Sequence, residues 1–185
     1  INRWDFFPSL HLSYKLNEKN QFMTSYTRRI QRPRGWELEP FLTWMDSYNV
    51  RQGNPALEPE NIDSYELGYQ RMFDKSLFSA ELYYRVNNNK IESYQTAYSE
   101  NVTLRSMDNV GKDYSFGSEL MLNFDPIKIW NVNLMGNLYN YKIVGQLNET
   151  DFDRESFNWN TRLNNSLNIS QNSQLQFKVA SNFDQ

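Results

Sequence analysis

Between residues 157 and 170 the chain alternates with a period of two. Phe157, Trp159, Thr161, Leu163, Asn165, Leu167 and Ile169 occupy the odd positions, and five of these seven are apolar. The even positions hold Asn158, Asn160, Arg162, Asn164, Ser166, Asn168 and Ser170, none of them apolar. A helical face through positions 157, 160, 161 and 164 would present Phe, Asn, Thr and Asn, which buries nothing. Only an extended strand sorts these side chains onto an apolar face and a polar one.

The same sorting recurs. Leu10, Leu12, Tyr14 and Leu16 share one parity, as do Tyr65, Leu67, Tyr69 and Phe73. Phe78, Ala80, Leu82, Tyr84 and Val86 form another set, and Leu120, Leu122 and Phe124 another. Trp130, Val132, Leu134 and Leu138, then Leu175, Phe177 and Val179, complete the series. The segment 21–30 alternates less cleanly, with Phe22 and Tyr26 on one side and Met23 on the other. The pattern predicts eight strands, at 5–16, 21–31, 62–73, 76–93, 110–124, 129–145, 157–170 and 174–185. Four connections are short: Asn17–Asn20, Asp74–Lys75, Asp125–Lys128 and Gln171–Ser173. They are rich in turn-forming residues, as hairpins require. The other three, near 32–61, 94–109 and 146–156, are expected to be long loops.

Alternation also describes a soluble β-sandwich, which buries one face of each sheet. Length and aromatic placement argue for a membrane instead. The predicted strands exceed the roughly 5–6 residues usual in soluble sheets. The apolar bands Tyr65–Phe73 and Phe78–Val86 match the roughly 9–11 residues with which a strand crosses a bilayer. Tyr14, Phe22, Phe73, Phe78, Phe124, Trp130 and Phe177 flank the short turns. Tyr65, Tyr84, Tyr114, Phe116, Phe157 and Trp159 lie toward the long loops, so the aromatics form two girdles. Composition agrees. Aromatics make up 16% while the 24 asparagines keep the average polar, which suits one greasy face and one wet face. The expected fold is all-β: an antiparallel up-and-down meander of about eight long strands, one segment of a large transmembrane β-barrel. The inward set is rich in Asn, Ser, Gln, Glu and Arg and cannot fill a narrow lumen. Both ends of the 1–185 stretch are therefore expected to be cuts within a wider barrel.

Other chemistries find little footing. A net charge of -3 offers no nucleic-acid footprint, and the absence of cysteine removes disulfides and thiolate metal sites. The longest apolar runs, such as Leu82–Tyr84, are too short for a spanning helix, and Ile1–Trp4 lacks a signal-peptide core. The one histidine, His11, stands between Ser9 and Ser13 on the polar parity, without the base, orienter and nucleophile that hydrolysis needs. Asp151 and Asp153 lack a calcium-loop glycine pattern and are expected in a solvated loop. No catalytic residue, metal or cofactor is assigned.

Residues 26–69 carry a train of motifs. Tyr26, Arg28, Arg29, Arg32 and Pro33 stand in Y-T-R-R-I-Q-R-P, and Leu38, Pro40 and Phe41 in L-E-P-F. Residues 53–60 read G-N-P-A-L-E-P-E, and 65–69 read Y-E-L-G-Y. With Phe7–Leu10, these motifs resemble the C-terminal half of the barrel in TonB-dependent receptors of the outer membrane protein beta-barrel family. The resemblance covers the whole chain. It implies an outer-membrane location with extracellular long loops, and a barrel of about 22 strands closed by an N-terminal plug. It also implies energised import through the TonB complex of a siderophore, a glycan or a similar nutrient. The plug, TonB box and remaining strands are not in this sequence, so the piece alone should not transport. The implied partners are outer-membrane lipid, TonB and an imported small ligand, with a surface lipoprotein left open.

Within the first long loop, Trp36, Trp44, Asp46, Tyr48 and Arg51 are the candidate ligand-binding residues. Their rings offer broad stacking faces and their charges directional contacts. The plainer alternative is that they pack the loop over the barrel mouth. Arg28, Arg29 and Arg32 are expected to solvate the rim or to pair with Glu37 and Glu39. Two other classes compete with a receptor: a soluble β-sandwich carbohydrate-binding module, and an outer-membrane enzyme.

Overall fold

The computed structural model describes residues 4–147, 150–170 and 173–183. Eight long strands follow one another as an antiparallel meander: β1 (Ser9–Asn17), β2 (Asn20–Gln31), β5 (Glu60–Phe73), β6 (Ser76–Ser99), β7 (Val102–Ile127), β8 (Trp130–Leu147), β9 (Thr150–Ser170) and β10 (Ser173–Phe183). Two short strands, β3 (Thr43–Trp44) and β4 (Asn49–Arg51), sit in the connection between β2 and β5. No helix among the described residues is long and apolar enough to cross a membrane, which does not bear on crossing by strands.

Register carries the period-two pattern across the sheet. One row runs Leu12, Thr24, Leu67, Leu82, Ser118, Leu138, Trp159 and Phe183. Next to it lie Leu10, Tyr26, Tyr65, Tyr84, Phe116, Asn140 and Phe157. The opposite face carries the row Ser13, Met23, Gly68, Glu81, Glu119, Asn137 and Asn160. Each strand keeps its parity because a one-residue slip would exchange every apolar side chain for a polar one. The uneven segment fits too. Phe22 and Tyr26 meet Tyr69 and Tyr65 in tilted ring pairs with centroids 5.0 Å apart, while Met23 lies over Gly68 on the polar face.

The sheet is a single layer. Leu10, Leu12, Leu67, Leu82, Phe116, Leu120 and Leu134 are all exposed on the apolar face. Among the described residues only five hydrophobic side chains are buried: Val50, Leu57, Val110, Val132 and Ile143. A β-sandwich would cover one face with a second sheet. Here the apolar face is left open, as in a barrel wall whose partner is lipid.

Several boundaries differ from the sequence reading. The first strand begins at Ser9, and residues 4–8 precede it without regular structure. The turn expected at Asp125–Lys128 is at Lys128–Ile129, with Asp125–Ile127 still in β7 across a register shift. Of the turn Gln171–Ser173, residues 171 and 172 lie outside the described residues and Ser173 opens β10. Two expected long loops are corrected. β6 runs to Ser99 and β7 starts at Val102, so 94–109 is hairpin. β8 runs to Leu147 and β9 starts at Thr150, so most of 146–156 is strand and Asp151 and Asp153 sit on β9.

Candidate functional site

The loop end of the sheet is where irregular chemistry gathers. Pairing of β7 with β8 stops at Gly111 opposite Gly145. Gly111 has φ +143°, and a Cβ on either glycine would collide with backbone of the other strand. Past this point the β6–β7 and β8–β9 hairpins continue separately. Register shifts around Lys90 accompany the split, with Asn89 at φ +59°. Such bulges reverse which parity faces inward.

The long loop crosses this divided end. β6 occupies one edge of β7, so β4 adds in parallel to the other edge, pairing Asn49–Arg51 with Thr103–Arg105. The loop thus passes over the β6–β7 hairpin. Residues of the G-N-P-A-L-E-P-E string hold it there. The Gly53 and Asn54 N–H groups donate to the Glu39 and Glu37 carbonyls at 2.8 and 2.7 Å. Asn54 Oδ1 accepts from the Ala56 N–H at 2.9 Å, and its Nδ2 donates to the Met107 carbonyl at 3.2 Å. The Asn109 side chain accepts from the Glu58 N–H at 2.8 Å. It also donates to the carbonyls of Glu58 and Asn89, at 3.0 and 2.7 Å.

Beneath the clamp lies a polar cluster. Glu60, 2% exposed, accepts from the Ile91 N–H at 2.7 Å and from Asn87 Nδ2 at 3.2 Å. Asn87 also donates to Asp113 at 3.2 Å. Lys90 Nζ stands 3.7, 3.7 and 3.8 Å from carboxylate oxygens of Glu60, Asp113 and Glu92. Burial pushes the Asp113 carboxyl up, against the pull of Lys90. Sequence reading missed this cluster. The available signal was Asn87-Asn88-Asn89, where the alternation of β6 breaks.

The candidate loop residues fall into separate positions. Arg51 lies over the Trp36 ring at 5.2 Å, and both line a cavity of about 250 Å³ with Gln52 and Arg105. Trp44 meets Tyr98 edge to face at 6.3 Å on the opposite side of the β3–β4 ribbon from Arg51. Asp46 accepts from the Tyr48 N–H at 2.7 Å and from Asn49 Nδ2 at 2.9 Å, which closes the β3–β4 turn. These donors, the Tyr48 amide foremost, hold its carboxyl below the usual range. Trp44 and Tyr48 remain 58% and 66% exposed. The rim arginines do not pair with Glu37 or Glu39. Arg28 stands 3.8 Å from Asp63 on the neighbouring strand, and Glu37 accepts from the Arg34 N–H at 2.7 Å.

Elsewhere the site chemistry is plain. His11 shares a hydrogen bond with Ser9 at 2.9 Å. Asp153 pairs with Lys142 at 2.9 Å. Asn ladders line the polar face, with Asn164 donating to Asn133 at 3.3 Å and Asn131 to Asn123 at 3.0 Å.

A single-layer meander with a greasy outer face and a polar inner face defines the wall of an outer-membrane β-barrel. The model of the outer membrane protein beta-barrel family matches residues 1–185, and the chain belongs to that family. Its fold is shared with siderophore receptors and a copper transporter of known structure. The siderophore receptor PirA of Pseudomonas aeruginosa aligns with a TM-score of 0.62 at 15% identity, over 97% of this chain and 42% of that one. A mutant of the ferric enterobactin receptor PfeA of Pseudomonas aeruginosa, bound to enterobactin, aligns with a TM-score of 0.59 at 16% identity, over 94% and 34%. The copper transporter OprC aligns with a TM-score of 0.59 at 13% identity, over 94% and 30%. No curated protein sequence matches the chain. The chain therefore spans 42% or less of the length of these solved structures.

Proposed function

We propose that this chain forms part of the barrel of a TonB-dependent receptor that imports a nutrient such as a siderophore or a glycan. The observation that carries the reading is the single-layer sheet, with Leu67, Leu82 and Leu134 exposed on one face and Glu66, Glu81 and Asn133 on the other. A wall polar on one face and apolar on the other encloses a wet lumen rather than a packed core. The loop end faces the cell surface. Trp36, Trp44, Asp46, Tyr48 and Arg51 contribute to recognition there, with the rings of Trp44 and Tyr48 exposed. TonB engages an N-terminal segment of the full-length protein, and His11, hydrogen-bonded to Ser9, is given no catalytic role in this reading. The carbohydrate-binding sandwich is disfavoured because no second layer among the described residues covers the apolar face.

The test is uptake by cells carrying or lacking the full-length protein, measured with the inner membrane energised and uncoupled. Accumulation of a nutrient that needs both the receptor and the proton gradient supports the proposal. Loss of the receptor without effect on any uptake across iron chelates, oligosaccharides and copper contradicts it.

A further inference from the structure

Two arginines meet where the long loop joins the β6–β7 hairpin. Parallel pairing of β4 with β7 sets Arg51 opposite Arg105. Register partners on neighbouring strands point to one face, so the two side chains emerge side by side. Both line the cavity of about 250 Å³ together with Trp36, Gln52 and Met107, and no residue of its lining is acidic. Neither guanidinium has a carboxylate within ion-pair distance among the described residues.

Each guanidinium is instead held by an uncharged neighbour. Arg51 lies 5.2 Å from the centre of the Trp36 ring, and Arg105 Nη2 donates to the Ser93 hydroxyl at 3.3 Å. Acids of the same region are engaged elsewhere. Asp46 accepts from the Tyr48 N–H, Asp108 from the Asn109 N–H at 2.9 Å, and Glu92 stands by Lys90.

The pair sits in a short attachment. β4 is three residues long, and the contact is extended by the Thr103 N–H donating to the Tyr48 carbonyl at 2.8 Å and the Gln52 N–H to the Arg105 carbonyl at 3.0 Å. Like charges directly opposite each other in a sheet destabilise the pairing. An oxyanion between them reverses the sign, because guanidinium forks grip such an ion through charge-assisted hydrogen bonds. The cavity is smaller than the roughly 300–1,000 Å³ usual for organic ligands. Its volume therefore suits an inorganic ion and not the imported nutrient.

We propose that an inorganic oxyanion of the phosphate or sulfate class binds between Arg51 and Arg105 and latches the long loop to the β6–β7 hairpin. The proposal goes beyond the receptor reading and holds whatever the barrel imports. Arg51 then bears on recognition through the position of the loop.

The test is amide hydrogen exchange of residues 49–53 in the full-length protein in detergent, with sodium phosphate, sodium sulfate or sodium chloride at equal ionic strength. Phosphate and sulfate should slow exchange several-fold relative to chloride, and the effect should saturate in the millimolar range. Arg51→Gln and Arg105→Gln should each remove this response, and Arg51→Lys should keep part of it. Arg105 is exposed, so Arg105→Gln is expected to fold, and heat-modifiable gel migration verifies folding of every variant. Both anions also stabilise proteins by exclusion from the surface, an effect that acts on wild type and variants alike. Equal exchange of the wild type in phosphate, sulfate and chloride overturns the proposal, as does an undiminished phosphate response in folded Arg105→Gln.

Discussion

At the scale of single residues, parity decides what a position tolerates. Leu134 pairs with Leu122 and Leu163 on the exposed apolar face, whereas Asn133 pairs with Asn123 and Asn164 on the polar one. In the full-length protein, Leu134→Arg should cost about 2–4 kcal/mol if it lies near the bilayer midplane. Asn133→Arg, one residue away, should be tolerated far better. Denaturant unfolding of the two variants in detergent-free bilayers checks this, and equal losses would contradict the facing assigned to β8. Asn109 makes a different case. Its one amide joins the Glu58 N–H, the Glu58 carbonyl and the Asn89 carbonyl. Asn109→Ala removes all three bonds, two of them open to water, each worth about 0.5–1.5 kcal/mol. The expected outcome is faster proteolysis within residues 32–59 with the strands intact. Parity was legible in the sequence at almost every spanning residue. Asn109 was not, because its partners lie 20 and 51 residues away in the chain.

At the scale of elements, the order of the eight long strands and the turns at 17–20 and 74–75 were readable, while the ends of the hairpins were not. The reason is physical. Between the girdles one face meets lipid and the other water, so apolar and polar residues must alternate. Beyond the girdle both faces meet water and the alternation loses its cause. Residues 94–109 and 150–156 therefore resemble loops in composition although they pair in register. The bulges at Asn89 and Val110 also reverse parity, which hides any remaining period. Parallel addition of β4 to β7 joins segments 54 residues apart, so no local pattern announces it. Of the candidate site residues, Trp44 and Tyr48 carry exposed rings. The sequence could not foresee that Asp46 is engaged in its own turn. In the intact receptor, replacing Trp44 and Tyr48 by Ala should weaken ligand binding severalfold while heat-modifiable migration stays unchanged, since neither lies in a spanning strand. Unchanged affinity in a folded barrel would reduce the loop to packing over the mouth.

At the scale of the whole molecule, the described residues form a sheet with an apolar side that none of them covers and two outer strands with no outer neighbour among them. All residues of β1 are exposed, as are those of β10. In lipid, the unpaired N–H and C=O groups of such edges cost several kcal/mol each unless further strands take them up. Under the proposed receptor reading, further strands of a closed wall take up these edges. The most direct measurement of this account is nitroxide scanning of the full-length protein in outer-membrane vesicles. Single cysteines, a residue type absent from this sequence, would be placed along positions 65–70 and 79–84. Labels at Leu67, Tyr69, Ala80 and Leu82 should relax with oxygen dissolved in the bilayer, and labels at Glu66, Gly68, Glu81 and Tyr83 with a water-soluble nickel chelate. Accessibility should swing with a period of two, in register across the Asp74–Lys75 turn. A uniform profile, or oxygen accessibility at Glu66 and Glu81 equal to that at Leu67 and Leu82, would contradict a membrane-spanning wall.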